Sequence, residues 1–183
     1  MSHGQSDLTL YKIRHSMAHV LAQAVKAEFR EANLGFGPPT EFGFYYDFDF
    51  ANTQFSDSDL KRIQRRMKKI IAAQATETFA KQECTFDEAI QMCEEYNEPY
   101  KKEYVRILNS RGVKIFSFYR QGDFLDLCDG PHVTKISELP IDGFKLDRIS
   151  GAYWLSDESK AMLTRIYAYC FTTKQELDDH LVR

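Results

Sequence analysis

Gly112-Val113-Lys114-Ile115-Phe116-Ser117-Phe118-Tyr119-Arg120-Gln121-Gly122-Asp123-Phe124-Leu125-Asp126-Leu127-Cys128 is the stretch that decides how the chain reads. Residues 113–119 and 123–128 are dense in aromatic and aliphatic side chains, and the Gln121-Gly122 break between them predicts two strands. Residues 144–154 and 163–171 read as two more. Upstream, Phe42, Phe44, Tyr46, Phe48 and Phe50 alternate with Gly43, Tyr45, Asp47 and Asp49, the period of a half-buried strand. Most of the rest before Gly112 reads as helix. Ile13, Met17, Val20, Leu21, Ala24 and Val25 recur at helical spacing through about Ala32, and Gly35-Phe36-Gly37-Pro38-Pro39 ends that helix. A second begins near Ser56 with Asp59 as its capping partner and runs into the Thr76 region. A third follows Thr85 with Glu88 and ends near Tyr96, a short fourth opens at Pro99, and Thr173 with Glu176 caps a last one. Helices early and strands late predict a single α+β domain, a long N-terminal helix and further helices packed on a mostly antiparallel sheet. Residues 1–10 are expected as a tail and 11–183 as the domain.

The remaining composition bounds the function. The chain has 183 residues and a net charge of −3, which excludes a wholesale basic protein built to coat nucleic acid but not a local basic face. No run of about 18 apolar residues exists to cross a membrane. The start, Met1-Ser2-His3-Gly4-Gln5-Ser6-Asp7, lacks the pattern of a secretory signal. A cytoplasmic protein is expected. Cys84, Cys93, Cys128 and Cys170 contain no CxxC pair, and a chain with enough apolar residues for its own core needs no disulfides. Each cysteine is then buried filler, a metal ligand or a reactive thiol.

Of five histidines, His15 and His19 lie four apart on the first helix, so their rings point about 40° apart from adjacent turns. His132 follows Cys128 by four residues, and the Gly130-Pro131 turn can fold its ring back towards the sulfur. Either motif alone also fits histidines at a helix boundary with no ligand role. Together they offer three imidazoles and a thiol, a set that suits zinc or a bare acid–base cluster, and spacing leaves both open. Asp126, two positions before Cys128, leaves the same strand face and could orient an imidazole or a water. Lys101 could hold a phosphate or oxyanion, although without context it reads as a solvated surface lysine. Lys61, Arg62, Arg65, Arg66, Lys68 and Lys69 fill one arc of the second helix; this is either a solvated face or a footprint for an RNA backbone.

Ile13-Arg14-His15-Ser16-Met17-Ala18-His19, Gly37-Pro38, Gly43-Phe44-Tyr45-Tyr46-Asp47, Glu98-Pro99-Tyr100-Lys101, Asp126-Leu127-Cys128-Asp129-Gly130-Pro131-His132-Val133, Gly151-Ala152-Tyr153-Trp154 and Arg165-Ile166-Tyr167 occur in this order. In these motifs the chain resembles the editing domain of threonyl-tRNA synthetase, a relative of the alanyl-tRNA editing domain, from about residue 11 to the end. The resemblance implies a deacylase that removes serine wrongly attached to the threonine tRNA. It places the site on His15, His19, Cys128 and His132, supported by Lys101 and Asp126, with Tyr46 as a pocket tyrosine. Zinc is not required by the threonyl branch; the alanyl branch uses these residue types as zinc ligands, and His15, His19, Cys128 and His132 would be the ligands here. The implied partner is mischarged threonine tRNA, with the basic helix as a contact face. The competing readings are a non-catalytic tRNA-binding module and a zinc-dependent deacylase of alanyl type.

The sequence departs from the family where Asp129 replaces a usual arginine, where Leu155-Ser156 replaces Arg-Gly, and where Ala168-Tyr169-Cys170 replaces Gly-Thr-Ala. The synthetase's other domains do not fit in 183 residues, so no aminoacylation is expected of this stretch by itself. It reads as a free-standing trans-editor or an excised editing domain.

Overall fold

In the computed structural model, which describes residues 3–182, α1 (His3–Glu28) is the axis of the molecule. Met17, Ala18, Val20, Leu21, Ala22, Ala24 and Val25 are all fully buried, more than one helical face can supply. Alanines on the remaining face let neighbouring elements close around the helix. The expected tail is helical from His3 on, because nothing from Gln5 to Lys12 breaks a helix and its polar side chains remain exposed. The helix ends at Glu28, four residues before the expected Ala32.

Strands β1 (Asn33–Leu34), β2 (Gly43–Asp49), β6 (Phe144–Tyr153) and β7 (Met162–Cys170) form an antiparallel sheet in the order β1-β2-β7-β6. Phe44, Tyr46 and Phe48 of β2 point inward as their alternation requires, and Ile166, Ala168 and Cys170 of β7 join them. This inner face, α1 and α2 (Leu60–Ala73) make the main core, with Ile63, Met67 and Ile71 as the contribution of α2.

A second antiparallel sheet joins β3 (Ala80–Cys84), β4 (Phe116–Gln121) and β5 (Phe124–Leu127) in that order. It builds its own small core against α3 (Phe86–Glu95) and α4 (Pro99–Ser110) from Cys84, Ala89, Cys93, Val105, Phe116, Phe118 and Leu125. The α+β class with antiparallel strands is as expected, with the strands divided between two sheets. The edge strand β3 was invisible because four of its five residues are exposed and show no alternation. The chain closes with α5 (Lys174–Leu181), capped by Thr173 as expected. The three cysteines in these cores, Cys84, Cys93 and Cys170, are buried and unbridged. Among the described residues, no helix is long and apolar enough to cross a membrane. The seam between the two cores, where α1 faces β5, holds the polar residues discussed next.

Candidate active site

The rotation of α1 is fixed from its two sides. On one, the buried Arg14 guanidinium donates to the carbonyls of Cys170 (2.8 Å) and Glu41 (2.7 Å) and lies 5.2 Å from the Phe171 ring. On the other, the buried Ser16 hydroxyl accepts from the Val133 amide at 3.0 Å and meets His132 Nδ1 at 3.0 Å. With the helix pinned this way, His15 and His19 both face the seam.

The loop after β5 brings Cys128 and His132 to them. Gly130 has φ +82°, and a Cβ there would lie 2.5 Å from the Tyr119 hydroxyl, so only glycine fits the turn. The following Pro131 is joined by a cis peptide bond. The turn returns His132 Nε2 to 3.3 Å from Cys128 Sγ, while His15 Nε2 stands 3.2 Å from the same sulfur. The His15 and His132 rings stack at 4.3 Å, and His132 is backed by a parallel Phe79 ring at 5.2 Å. All four groups that sequence spacing singled out thus meet, from segments more than a hundred residues apart.

Partner chemistry assigns the protons. The Pro131 carbonyl can only accept, so His15 donates from Nδ1 (3.0 Å) and keeps its Nε2 lone pair. Ser16, already accepting from Val133, has its own proton for His132 Nδ1, which leaves His132 Nε2–H directed at the sulfur and the thiol proton directed at His15. Burial pushes the Cys128 thiol up to about 12, against the opposing pull of the Gly130 amide. Burial also holds His15 below its ordinary value and His19 and His132 well below theirs, the neighbouring imidazoles adding to the effect for the last two. Burial thus favours the uncharged forms of these groups, and His15 Nε2, 3.2 Å from the thiol, is an imidazole acceptor that lines the cleft.

Beneath it lies a buried charged group. Asp126, at 3% exposure, accepts from the Tyr46 hydroxyl at 2.5 Å and sits 3.6 Å from His19 Nε2. Its other oxygen lies 3.0 Å from Lys101 Nζ, though off-axis enough that the contact is Coulombic and not a directed hydrogen bond. Lys101 is itself 3% exposed, with its ammonium over the Phe36 and Tyr46 rings. The reading of Lys101 as a solvated surface lysine is therefore overturned. A cation this deep requires a carboxylate partner, and α4 places it there. Gly37 permits the approach, since a Cβ on it would lie 2.1 Å from the Tyr46 ring.

The same donor set bears on zinc binding. His15, His19, Cys128 and His132 each offer a ligand atom, all within 4.8 Å of one another, against about 3.4–3.6 Å between ligand atoms in a tetrahedral zinc site. His19 Nδ1 is buried without a hydrogen-bond partner among the described residues. The residues fit zinc after a contraction of about 1 Å.

Above these groups opens a cleft of about 650 Å³ whose walls include Tyr45, Tyr104, Leu108 and Ile115, with the exposed Asp129 on its rim. Ser16, Phe79 and Tyr119, which hold the cluster in place along with the expected Gly130-Pro131 turn, were given no role by sequence reading. Of the three, Ser16 left a signal, as a polar residue on an otherwise apolar face. The basic face of α2 is partly consumed within the molecule. Arg62 and Arg66 both bind Glu28 (2.7 and 2.8 Å) and Lys68 lies 3.4 Å from Asp142, while Lys61, Arg65 and Lys69 have no ion-pair partner among the described residues.

Comparison with known proteins shows what the chain as a whole is similar to. Residues 116–167 match the family described as the threonyl and alanyl tRNA synthetase second additional domain. The threonine–tRNA ligase of Acetivibrio thermocellus is 46% identical over 172 residues, 93% of this chain and 26% of that protein. That of Geobacter sp. strain M21 is 44% identical over 179 residues, 98% of this chain and 27% of the relative, and that of Nitratidesulfovibrio vulgaris is 43% identical over 169 residues, 92% and 25%. The chain spans about a quarter of the length of these relatives. Along nearly its whole length this chain is thus similar to one stretch of threonine–tRNA ligases, and its second half carries the match to the second additional domain of the threonyl and alanyl enzymes.

Proposed function

We propose that the chain is an aminoacyl-tRNA editing hydrolase acting on seryl-tRNA(Thr) in the cytoplasm. One observation carries the reading: an imidazole–thiol cluster and a buried carboxylate, drawn from both halves of the chain, share one cleft large enough for an aminoacylated nucleotide. The similarity to threonine–tRNA ligases supplies the substrate class.

Serine and threonine differ by one methylene-sized group, worth only about 1–3 kcal/mol in a pocket. A synthesis site that accepts threonine cannot exclude serine by size. A second site that admits serine and rejects the extra methyl against its wall completes the discrimination. In this reading the attacking water displaces the Cys128 thiol proton from His15 Nε2, and His15, anchored through Nδ1, takes a proton from that water there. The water oxygen bonds to the ester carbonyl carbon, the bond to the ribose oxygen breaks, and that oxygen leaves with a proton. His19, Cys128 and His132 complete the pocket. Asp126, held by Lys101 and Tyr46, faces the substrate ammonium. The committed Lys101 positions Asp126 in place of the nucleotide-holding role expected from sequence.

Zinc held by His15, His19, Cys128 and His132 would supply Lewis-acid polarisation and an acidified water, provided one ligand gave way; four protein ligands fill a tetrahedral site. Hydrolysis by the imidazoles alone does not need it.

The test is serine release from seryl-tRNA(Thr), with threonyl- and alanyl-tRNA alongside and a chelator in parallel. Rapid release from the seryl ester, slow release from the threonyl ester and indifference to chelation are expected. Activity confined to alanyl-tRNA and lost on chelation would establish the zinc-dependent alternative. Binding without release would establish a non-catalytic module.

A further inference from the structure

The four-stranded sheet turns one face to α1 and α2 and the other outward. On the outward face the cross-strand register sets Tyr45 beside Tyr167 and Tyr167 beside Arg148; one step along, Tyr169 stands beside Lys145. None of these five side chains is buried. Tyr45 and Tyr167 lie 5.9 Å apart, and the Arg148 guanidinium is 3.9 Å from the Tyr167 centroid. Arg148 is more than half exposed and, among the described residues, has only Asp147, at 3.7 Å, as an ion-pair partner, while Lys145 has none. A depression of about 200 Å³ opens between Arg148, Tyr167 and Tyr169, with Glu41 and Asp147 also on its lining. Tyr45 also forms part of the wall of the catalytic cleft, so the row of rings begins where the cleft ends.

Rings and exposed cations interleaved on an open antiparallel sheet are what single-stranded nucleic acid needs: bases stack on the rings and phosphates meet the cations. Charge and continuity with the cleft choose the occupant. We infer that this outward face binds the unpaired nucleotides immediately preceding the esterified terminal nucleotide of the tRNA. The inference rests on the proposed function for the direction in which the strand leaves the cleft.

The probe is a fluorescent six-nucleotide RNA ending in the CCA common to tRNAs, titrated at several salt concentrations against the full chain. Arg148→Gln with Lys145→Gln removes two cations, and the salt slope of log affinity is expected to fall by about 1.4, since each phosphate contact on a single strand contributes about 0.7. Tyr169→Leu is expected to weaken binding about fivefold, the lower end for loss of one base–aromatic stack. Hydrolysis of 3′-seryl-adenosine, which ends inside the cleft, should be unchanged in these variants, and that result also reports an intact fold. A comparison pair, Arg30→Gln with Lys81→Gln, removes the same charge at exposed positions elsewhere and is expected to leave oligonucleotide binding unaltered. Equal losses from both pairs, no loss from the sheet pair, or no binding by the wild type would overturn the inference. Binding that depends on Arg148 and Lys145 in a protein that releases no serine would uphold it while refuting the proposed reaction. Serine release with oligonucleotide binding unchanged in the variants would do the reverse.

Discussion

Asp126→Ala is expected to be among the most destabilising single changes in this protein. The Lys101 ammonium lies 3.0 Å from the Asp126 carboxylate, and the two side chains are 4% and 2% exposed. Truncating the aspartate leaves the cation facing only the Phe36 and Tyr46 rings, at 4.7 and 5.6 Å. A cation–π contact supplies about 2 kcal/mol at best, well short of what burying an ammonium costs. Breaking one side of a buried pair costs about 3–5 kcal/mol. In a chain of this size that corresponds to a fall in Tm of roughly 6–20 °C, at about 2–4 °C per kcal/mol. Lys101→Met should cost a comparable amount, because it strands the carboxylate. The double variant Lys101→Met/Asp126→Leu removes both charges and leaves only the Tyr46 hydroxyl without its acceptor, a penalty of about 1–3 kcal/mol. Urea unfolding of the four proteins followed by far-UV circular dichroism closes the cycle. The double variant should be more stable than either single. Additive losses, or a loss below about 1 kcal/mol for Asp126→Ala, would mean that Lys101 reaches water and that its burial has been misjudged.

Three further outcomes follow from other parts of the fold. Arg14→Met removes charge-assisted bonds to two carbonyls and should cost about 3–6 kcal/mol in unfolding free energy, at about 1.5–3 kcal/mol for each hydrogen bond to a charged group; hydrogen exchange would show the amides around Cys170 and Glu41 losing protection, and unaltered exchange would argue against the pin. Ser156 has φ +57° and follows Leu155 at φ +55°, so Ser156→Gly should raise stability by up to about 1 kcal/mol by relieving a left-handed non-glycine residue; a lower Tm would refute the strain. Asp129 on the cleft rim repels phosphate, and Asp129→Asn should tighten tRNA binding by about two- to fivefold, within the range of a single exposed charge contact, whereas unchanged affinity would place the RNA path elsewhere.

The parts of the fold that follow one period were legible. The alternation of Phe44, Tyr46 and Phe48 marks the inner face of β2, and Thr85 with Glu88 forms the reciprocal cap expected, at 3.3 and 3.2 Å. Elements without a period were not. β3 lies at an exposed edge, and the division into two sheets depends on which strands pair, which no local pattern specifies. The convergence of His15, His19, Cys128 and His132 was suggested by local spacing, because a helical turn and a Gly-Pro turn each act over four residues. Lys101 could not be placed this way. Its sequence neighbours are polar, and only the long-range docking of α4 against β5 decides that its ammonium is buried. For the same reason the basic face of α2 looked freer than it is, since Glu28, which neutralises part of it, comes from another helix.

Whether the cluster acts as one unit is tested most directly by single-turnover serine release from seryl-tRNA(Thr) with His15→Ala, Cys128→Ala and their double variant. Groups that work together lose their function together, so the double variant should be no slower than the slower single variant. Full activity in His15→Ala, or losses that multiply in the double variant, would show that the two segments do not form a single hydrolytic centre.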